Sequence, residues 1–127
     1  MITREQAYRF ATDWVECWNA HDLDRILAHY TEDLEMSSPV IVDLMNEPSG
    51  TLRGKEKVRA YWAKALAAQP NLHFELIEVF AGADSLVVHY NGPRGLGAEV
   101  LWLDSAGKVY RAAAHYIVGA IGWRGAD

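Results

Sequence analysis

The sequence predicts an α+β domain in which helices of the N-terminal half cover one face of a curved antiparallel sheet. Two observations predict this class. Apolar residues recur at helical spacing in the first half, and extended segments separated by turn residues fill the second half. The 127 residues, half of them hydrophobic, suit a single domain over residues 1–127.

The first helix is predicted from about Arg4 to Asn19. Its apolar positions follow the i, i+3, i+4, i+7 spacing of one helical stripe. Thr3 and Gln6 have the spacing of a capping box, which satisfies backbone donors at a helix start. The stripe consists of Ala7, Phe10, Ala11, Trp14 and Trp18.

Two further helices are predicted between the first helix and the four strands of the second half. Asp22 can cap a short second helix whose apolar stripe ends at Tyr30. The third begins after Gly54 and is bounded by Pro70. An extended run at Leu34 separates them, and residues 40–42, Val-Ile-Val, are interpreted as a small strand in the connection that follows.

Four strands are predicted in the second half, and their short connections require antiparallel neighbours. Three helices are too few to cover such a sheet if it is flat. We therefore expect the sheet to curl around them and leave a conical interior with an open mouth. The predicted strands are residues 72–80, 85–91, 98–104 and 109–118.

The composition argues against two classes of partner, nucleic acids and membranes. A net charge of -5 disfavours nucleic acid, and no apolar stretch reaches the length of about 20 residues that a membrane helix needs. We therefore expect a cytoplasmic protein with no membrane partner. The five histidines lack metal-ligand spacing and Cys17 is the single cysteine, so neither a metal nor a cofactor is expected.

Four sequence motifs together resemble the NTF2-like superfamily, and within it the SnoaL-like branch of polyketide-cyclase-type domains related to steroid delta-isomerase. The resemblance covers nearly the whole chain and implies a cone-shaped fold with three helices in its N-terminal half. It implies no single activity, because this scaffold carries several chemistries. The motifs are residues 14–24, residues 30–33, the Leu-Arg-Gly-Lys of residues 52–55 and the Ala-Gly-Lys-Val of residues 106–109.

The resemblance to the isomerase assigns three positions to catalytic roles. Trp14 matches its tyrosine, Ser38 its base and Glu99 its second acid. Only Glu99 keeps a carboxyl group, so isomerisation by that mechanism is not expected.

Strand alternation suggests which side chains share the pocket with Glu99. The match to the isomerase implies that Val87 and His89 lie on the same side, and a histidine beside a buried carboxylate suits acid–base chemistry near neutral pH. His89 and Glu99 are therefore the candidate catalytic residues. The alternatives are that His89 is packed or faces solvent, and that Glu99 lies in water at a sheet edge, since a one-residue register error reverses every face. The candidate substrate-binding residues are Trp14, Trp18, Ser38, Tyr61, Trp62, Leu101, Ala112 and Tyr116.

Two hypotheses follow for function. The first is a cofactor-free isomerase-, cyclase- or lyase-type enzyme that moves a proton on a hydrophobic carbonyl compound. The second is a non-catalytic module that binds a small hydrophobic molecule or serves as an interaction unit. The outer sheet face would be apolar, which predicts a homodimer, as the resemblance also implies. The residues of that face are Val100, Trp102, Ala113, His115 and Ile117.

Overall fold

The structure, a computed structural model, describes residues 1–119, so residues 120–127 of the predicted domain lie outside the described part. Four helices and six strands follow one another along the described chain. The helices are α1 (Arg4–Asn19), α2 (Leu23–Leu27), α3 (Pro39–Leu44) and α4 (Lys55–Ala68). The strands are β1 (Tyr30–Ser37), β2 (Thr51–Arg53), β3 (Glu75–Ala81), β4 (Ser85–Gly92), β5 (Gly95–Leu103) and β6 (Val109–Tyr116).

The six strands form one curved, mixed sheet in the order β2-β1-β6-β5-β4-β3. The last four strands form the predicted antiparallel meander. β1 pairs in parallel with β6, and the short β2 pairs antiparallel with β1. The helices precede the meander and pack against one face of the sheet, so the predicted α+β cone is confirmed.

Local capping signals explain where the first two helices begin. Thr3 and Gln6 form the capping box at α1, and the Asp22 side chain accepts a hydrogen bond from the Arg25 backbone at α2. The second helix is shorter than predicted, because Tyr30 begins β1 instead of continuing the helical stripe. No helix of the described chain combines the length and apolarity needed to cross a membrane.

The strand predicted at residues 40–42 is wrong, because that segment belongs to α3. Ser38 accepts a hydrogen bond from the Val40 backbone N–H, and Pro39 occupies the first turn. A serine N-cap followed by proline starts a helix despite the β-branched residues after it. The connection therefore adds a fourth helix, which contacts α4 and β2.

The register of β4 against β5 decides which side chains face the helices. Gly92 pairs with Gly95, so the turn is only Pro93-Arg94, and Val88 pairs with Glu99. Residues paired across strands share a face, and His89 pairs with Ala98. His89 therefore lies on the outer face, and the prediction that it faces the pocket with Glu99 is wrong.

Candidate functional site

A cavity of about 110 Å³ opens between the helices and the inner face of the sheet. Its walls come from α1, α3, α4, the α4–β3 connection and strands β1 and β4 to β6. The exposed lining residues lie at the β4–β5 turn and the end of α4, which places the mouth there. Most of its lining is aromatic or aliphatic, as is usual for small-molecule sites. The lining residues are Trp14, Trp18, Met36, Val40, Leu44, Tyr61, Trp62, Ala65, Ala68, Gln69, Leu72, Phe74, Tyr90, Gly92, Pro93, Arg94, Gly95, Glu99, Ala114 and Tyr116.

The aromatic wall is held by contacts from the end of α1. The Asn19 side chain donates to the Phe74 carbonyl at 2.9 Å and accepts from the Phe74 N–H at 2.7 Å. Phe74 then stacks on Trp14 with an interplanar angle of 13° and packs against Tyr90 at 4.5 Å between ring centroids. This wall is therefore anchored by hydrogen bonds as well as by burial.

Glu99 is the one carboxylic acid among the described lining residues, and it lies deep in the cavity. It is 4% exposed, and among residues 1–119 no hydrogen-bond partner of its carboxyl group is found. Burial alone raises its pKa from 4.5 to about 8, because a carboxylate loses its hydration in an apolar site. Glu99 can therefore hold or release a proton near neutral pH.

Three tyrosine hydroxyls of the cavity lie close enough to this carboxyl for its charge to act on them. Burial raises the pKa of Tyr61, Tyr90 and Tyr116, and the charge of Glu99 raises it further in each. Hydrogen bonding with Ser38 partly opposes the rise in Tyr61 and Tyr116. The three phenols thus keep their protons and remain hydrogen-bond donors over the physiological range.

The two tryptophans of α1 differ in the use of their indole N–H. Trp14 Nε1 donates to the Tyr30 hydroxyl at 2.9 Å, a buried hydrogen bond. Trp18 is 5% exposed, and its Nε1 is the one side-chain nitrogen or oxygen of the described chain that is wholly inaccessible and has no hydrogen-bond partner. An unmade hydrogen bond of this kind costs about 1–3 kcal/mol.

Arg94 is the one basic residue among the described lining residues and lies at the mouth. Its guanidinium carbon lies 5.9 Å from the centroid of the Tyr116 ring. Its charge opposes the rise in the pKa of Tyr61 and Tyr116, so its field reaches the hydroxyl groups inside. The cavity thus has an acid at its deep end and a cation at its entrance.

A family model decides the identity of the fold. The model described as the SnoaL-like domain matches residues 11–118. The chain belongs to the SnoaL-like family. No protein of curated function gives a significant match to it.

Solved structures agree with this SnoaL-like assignment. A SnoaL-like protein of unknown function from Burkholderia thailandensis is 51% identical, with a TM-score of 0.88, over 91% of this chain and 98% of that one. The epoxide hydrolase/cyclase-like enzyme SalBIII, of pyran ring formation in the polyether salinomycin, is 18% identical, with a TM-score of 0.73, over 92% and 95%. An NTF2-like protein of unknown function from Cytophaga hutchinsonii is 10% identical, with a TM-score of 0.66, over 93% of each chain.

The cavity of this SnoaL-like domain brings together six of the ten residues that the sequence suggested. Trp14, Trp18, Tyr61, Trp62, Glu99 and Tyr116 all line it. Ser38 lies behind the tyrosine hydroxyls as the N-cap of α3 and is not a lining residue. Leu101 and Ala112 share the face of Glu99 but are packed in the core, and His89 is on the opposite face.

Two lining residues of the cavity escaped sequence reasoning: Tyr90 and Arg94. Tyr90 was missed because alternation was counted from the wrong register, which also brought in His89. Arg94 was overlooked because residues 92–97 lie between the predicted strands 85–91 and 98–104 and were taken as their connection. Its position between Gly92 and Gly95, the signature of a tight hairpin turn, is the signal that could have found it.

Gly97 provides the space that Tyr90 occupies. A Cβ at Gly97 would lie 2.8 Å from both Cζ and the hydroxyl oxygen of Tyr90. We predict that Gly97→Ala lowers the free energy of unfolding by about 1–3 kcal/mol, because Tyr90 is wedged against Phe74 and cannot retreat. Urea denaturation measures the loss. Adding Tyr90→Leu should recover part of it, and unchanged stability in Gly97→Ala would contradict this close packing.

A second cluster of potential ligands lies behind α1, outside the cavity. Asp13, Cys17 and His29 each offer one ligand atom, and these atoms lie within 4.8 Å of one another. His29 Nε2 contacts Asp13 Oδ2 at 2.7 Å, while burial and the charge of Asp13 raise the pKa of the Cys17 thiol. The group could supply a sulfur, a nitrogen and an oxygen to a metal. The sequence pattern did not reveal it, because Asp13 and Cys17 lie on α1 whereas His29 follows α2, and only the fold brings them together.

Proposed function

We propose that this SnoaL-like domain is an enzyme in which Glu99 moves a proton on a small hydrophobic carbonyl compound. The observation that carries the proposal is a cavity-facing carboxyl group, buried among aromatic rings with no partner in the described chain. A buried, unpaired acid is costly to folding, and strongly perturbed acids cluster at functional sites. An apolar residue at this position would stabilise a purely structural core better.

Glu99 is the group best suited to act as the base. The other lining side chains of the described chain that titrate are tyrosines and an arginine, and the tyrosines hold their protons tightly. With a pKa of about 8, the Glu99 carboxylate is a stronger base than an ordinary glutamate. It removes a proton from the carbon beside the carbonyl group, which leaves an enolate, and returns it to the same carbon or, where the substrate carries a β,γ double bond, to the γ carbon.

The charge that develops on the carbonyl oxygen needs hydrogen-bond donors in a dry site. The hydroxyls of Tyr61 and Tyr116 are the donors that line the cavity. They take the place of the donors of the related isomerase, because Trp14 stands at the position of its tyrosine and Glu99, at the position of its second acid, is proposed here as the base. SalBIII supports the proposal to the extent that an enzyme with this fold acts in ring formation.

Hydrogen exchange tests the proposal before the natural substrate is known. The protein is incubated with cyclohexanone, cyclopentanone and acetophenone in deuterium oxide near pD 8, and loss of the signals of the protons beside the carbonyl is followed by proton NMR. We expect exchange above the buffer rate. Thermal stabilisation by these ketones without any exchange would favour the binding-module hypothesis instead.

We also propose that two copies pair through the outer sheet face. Antiparallel sheets usually expose polar residues on the side away from the helices, yet here Val87, Val100 and Ala113 lie in register across the central strands. Phe80 extends this surface and is 56% exposed. An apolar area of this kind favours association with a second copy.

The dimer is tested at the centre of that surface. Val100→Glu should convert a particle of twice 14.2 kDa into one of 14.2 kDa by light scattering, since each copy would place a carboxylate in an apolar interface. Ser105→Glu in the β5–β6 turn is the matched control and should leave the dimer intact. A parent chain that is monomeric at micromolar concentration would refute the pairing.

A further inference from the structure

We propose that the cavity takes a small cyclic carboxylate, with its carboxylate bound by Arg94 at the mouth and its carbonyl group near Glu99. The position of the carbonyl group rests on the proposed function. The anion site does not, and it stands on the geometry of Arg94 alone. The proposal names a substrate class: single-ring keto acids.

Arg94 is held at the mouth by a rigid turn. Gly92 and Gly95 pair with each other, Pro93 restricts the backbone, and Gly95 adopts a φ of +86° that favours glycine. The guanidinium lies over the Tyr116 ring, which lines the cavity. A short hairpin of this kind keeps the cation at the entrance.

This cation has no anionic partner in the part of the chain that the structure describes. Five other arginines contact a carboxylate: Arg9, Arg25, Arg53, Arg59 and Arg111. Arg94 contacts none within residues 1–119, although the chain has a net charge of -5 and many acids to offer. An arginine kept free of acids beside an apolar cavity suits a carboxylate ligand, which its planar fork can bind through two parallel hydrogen bonds.

The dimensions of the cavity suit a ligand with a single ring. An apolar protein cavity of about 150 Å³ holds a benzene molecule, so a cavity of about 110 Å³ with an open mouth accommodates a ring whose substituent projects outward. Gly95 and Glu99 lie four positions apart on β5, a rise of roughly 13 Å between their Cα atoms, so a ring with substituents at opposite ends can lie between the two ends of the cavity.

The test compares a charged probe with its neutral counterpart. Binding of 4-oxocyclohexanecarboxylate and of the matching carboxamide is measured by quenching of tryptophan fluorescence, since three tryptophans line the cavity. We expect the carboxylate to bind at least about tenfold more tightly than the amide, with the preference falling as salt is raised. Arg94→Gln should abolish the preference, and Arg94→Lys should retain part of it.

Arg4 provides the matched control. It also lies over a tyrosine ring, at 5.8 Å from the centroid of Tyr8, but outside the cavity, and it has no ion pair in the described chain. Arg4→Gln should keep the full preference for the carboxylate. A preference that survives Arg94→Gln, equal binding of both probes, or no binding of either at millimolar concentration would each overturn the proposal.

Failure of the anion site and failure of the proposed function give different results. Carboxylate preference that depends on Arg94, without proton exchange in the bound probe, leaves the anion site standing and removes the catalytic role of Glu99. Exchange of neutral ketones without preference for the carboxylate supports the catalytic role and removes the anion site. The exchange assay and the binding assay therefore report on separate ends of the cavity.

Discussion

Replacing Glu99 by glutamine should lower the rate of proton exchange by about 10²–10⁴-fold, the usual contribution of a general base. Glutamine keeps the size and shape of the side chain but cannot accept the proton. Ligand binding should persist, because the aromatic wall is unchanged. The comparison of exchange rates by proton NMR, with binding measured on the same samples, separates loss of chemistry from loss of the site.

The pH dependence of the exchange rate provides a second test of the role of Glu99. If the Glu99 carboxylate is the base, the rate of the parent enzyme should rise with pH and level off above its pKa of about 8. A rate that falls through the same range would show that the protonated acid is the active form, and would contradict the role assigned to the carboxylate. The residual rate of Glu99→Gln should lack this transition.

His89→Ala is the control variant for the catalytic site. His89 has its side chain on the outer face of β4, whereas Glu99 lies on the inner face of β5. Its replacement should leave the exchange rate within about twofold of the parent. A loss as large as that in Glu99→Gln would restore the pairing of these two residues that strand alternation first suggested.

The second large effect is on stability. The pKa of Glu99 is raised from 4.5 to about 8 in the folded chain. Between these values the unfolded chain has released the proton that the folded chain still holds, so rising pH favours unfolding. The penalty is absent below about pH 4.5, grows by roughly 1.4 kcal/mol per pH unit, and is complete above pH 8.

Glu99→Gln removes this pH-dependent loss of stability, because glutamine does not titrate. The difference in the free energy of unfolding between variant and parent should therefore grow in favour of the variant from pH 4.5 to pH 8, by up to a few kcal/mol, and then level off. Urea titrations at several pH values measure it. Glu16→Gln, at an exposed position of α1, controls for the loss of one negative charge. A difference that does not change with pH would contradict a buried acid of raised pKa.

These two effects together distinguish a catalytic acid from a structural one. A variant that is less active and, at neutral pH and above, more stable indicates that the parent chain sacrifices stability to keep a carboxyl group in an apolar cavity. A purely structural residue would lose stability when replaced. The same protein samples supply both measurements.

Much of the fold follows from signals that act over a few residues. The Thr3–Gln6 capping box and the Asp22 cap depend on backbone groups within one helical turn, and both were correctly predicted. The error at α3 also has a local cause. The Val-Ile-Val run favours a strand, but the preceding Ser38 and Pro39 supply a cap and a first turn that start a helix.

The candidate site was only partly predictable, because its membership depends on strand register. Glu99 was found since its own strand alternates clearly and since the resemblance supplied its role. His89 was assigned to the wrong face and Tyr90 was missed, because Gly92 to Gly97 was interpreted as a loop. The structure pairs Gly92 with Gly95, and that pairing sets which residues of β4 oppose Glu99.

The sequence by itself determined three of the four helices, the four strands of the meander, their order and the family, because caps, periodicity and turn residues are encoded within short windows. Only the tertiary structure decided that Glu99 and the tyrosine hydroxyls share one cavity with Arg94 at its mouth. Side-chain alternation has a period of two, so a shift of one residue between distant strands reverses every assignment. Register, and with it the chemistry of the site, is a property of the assembled sheet.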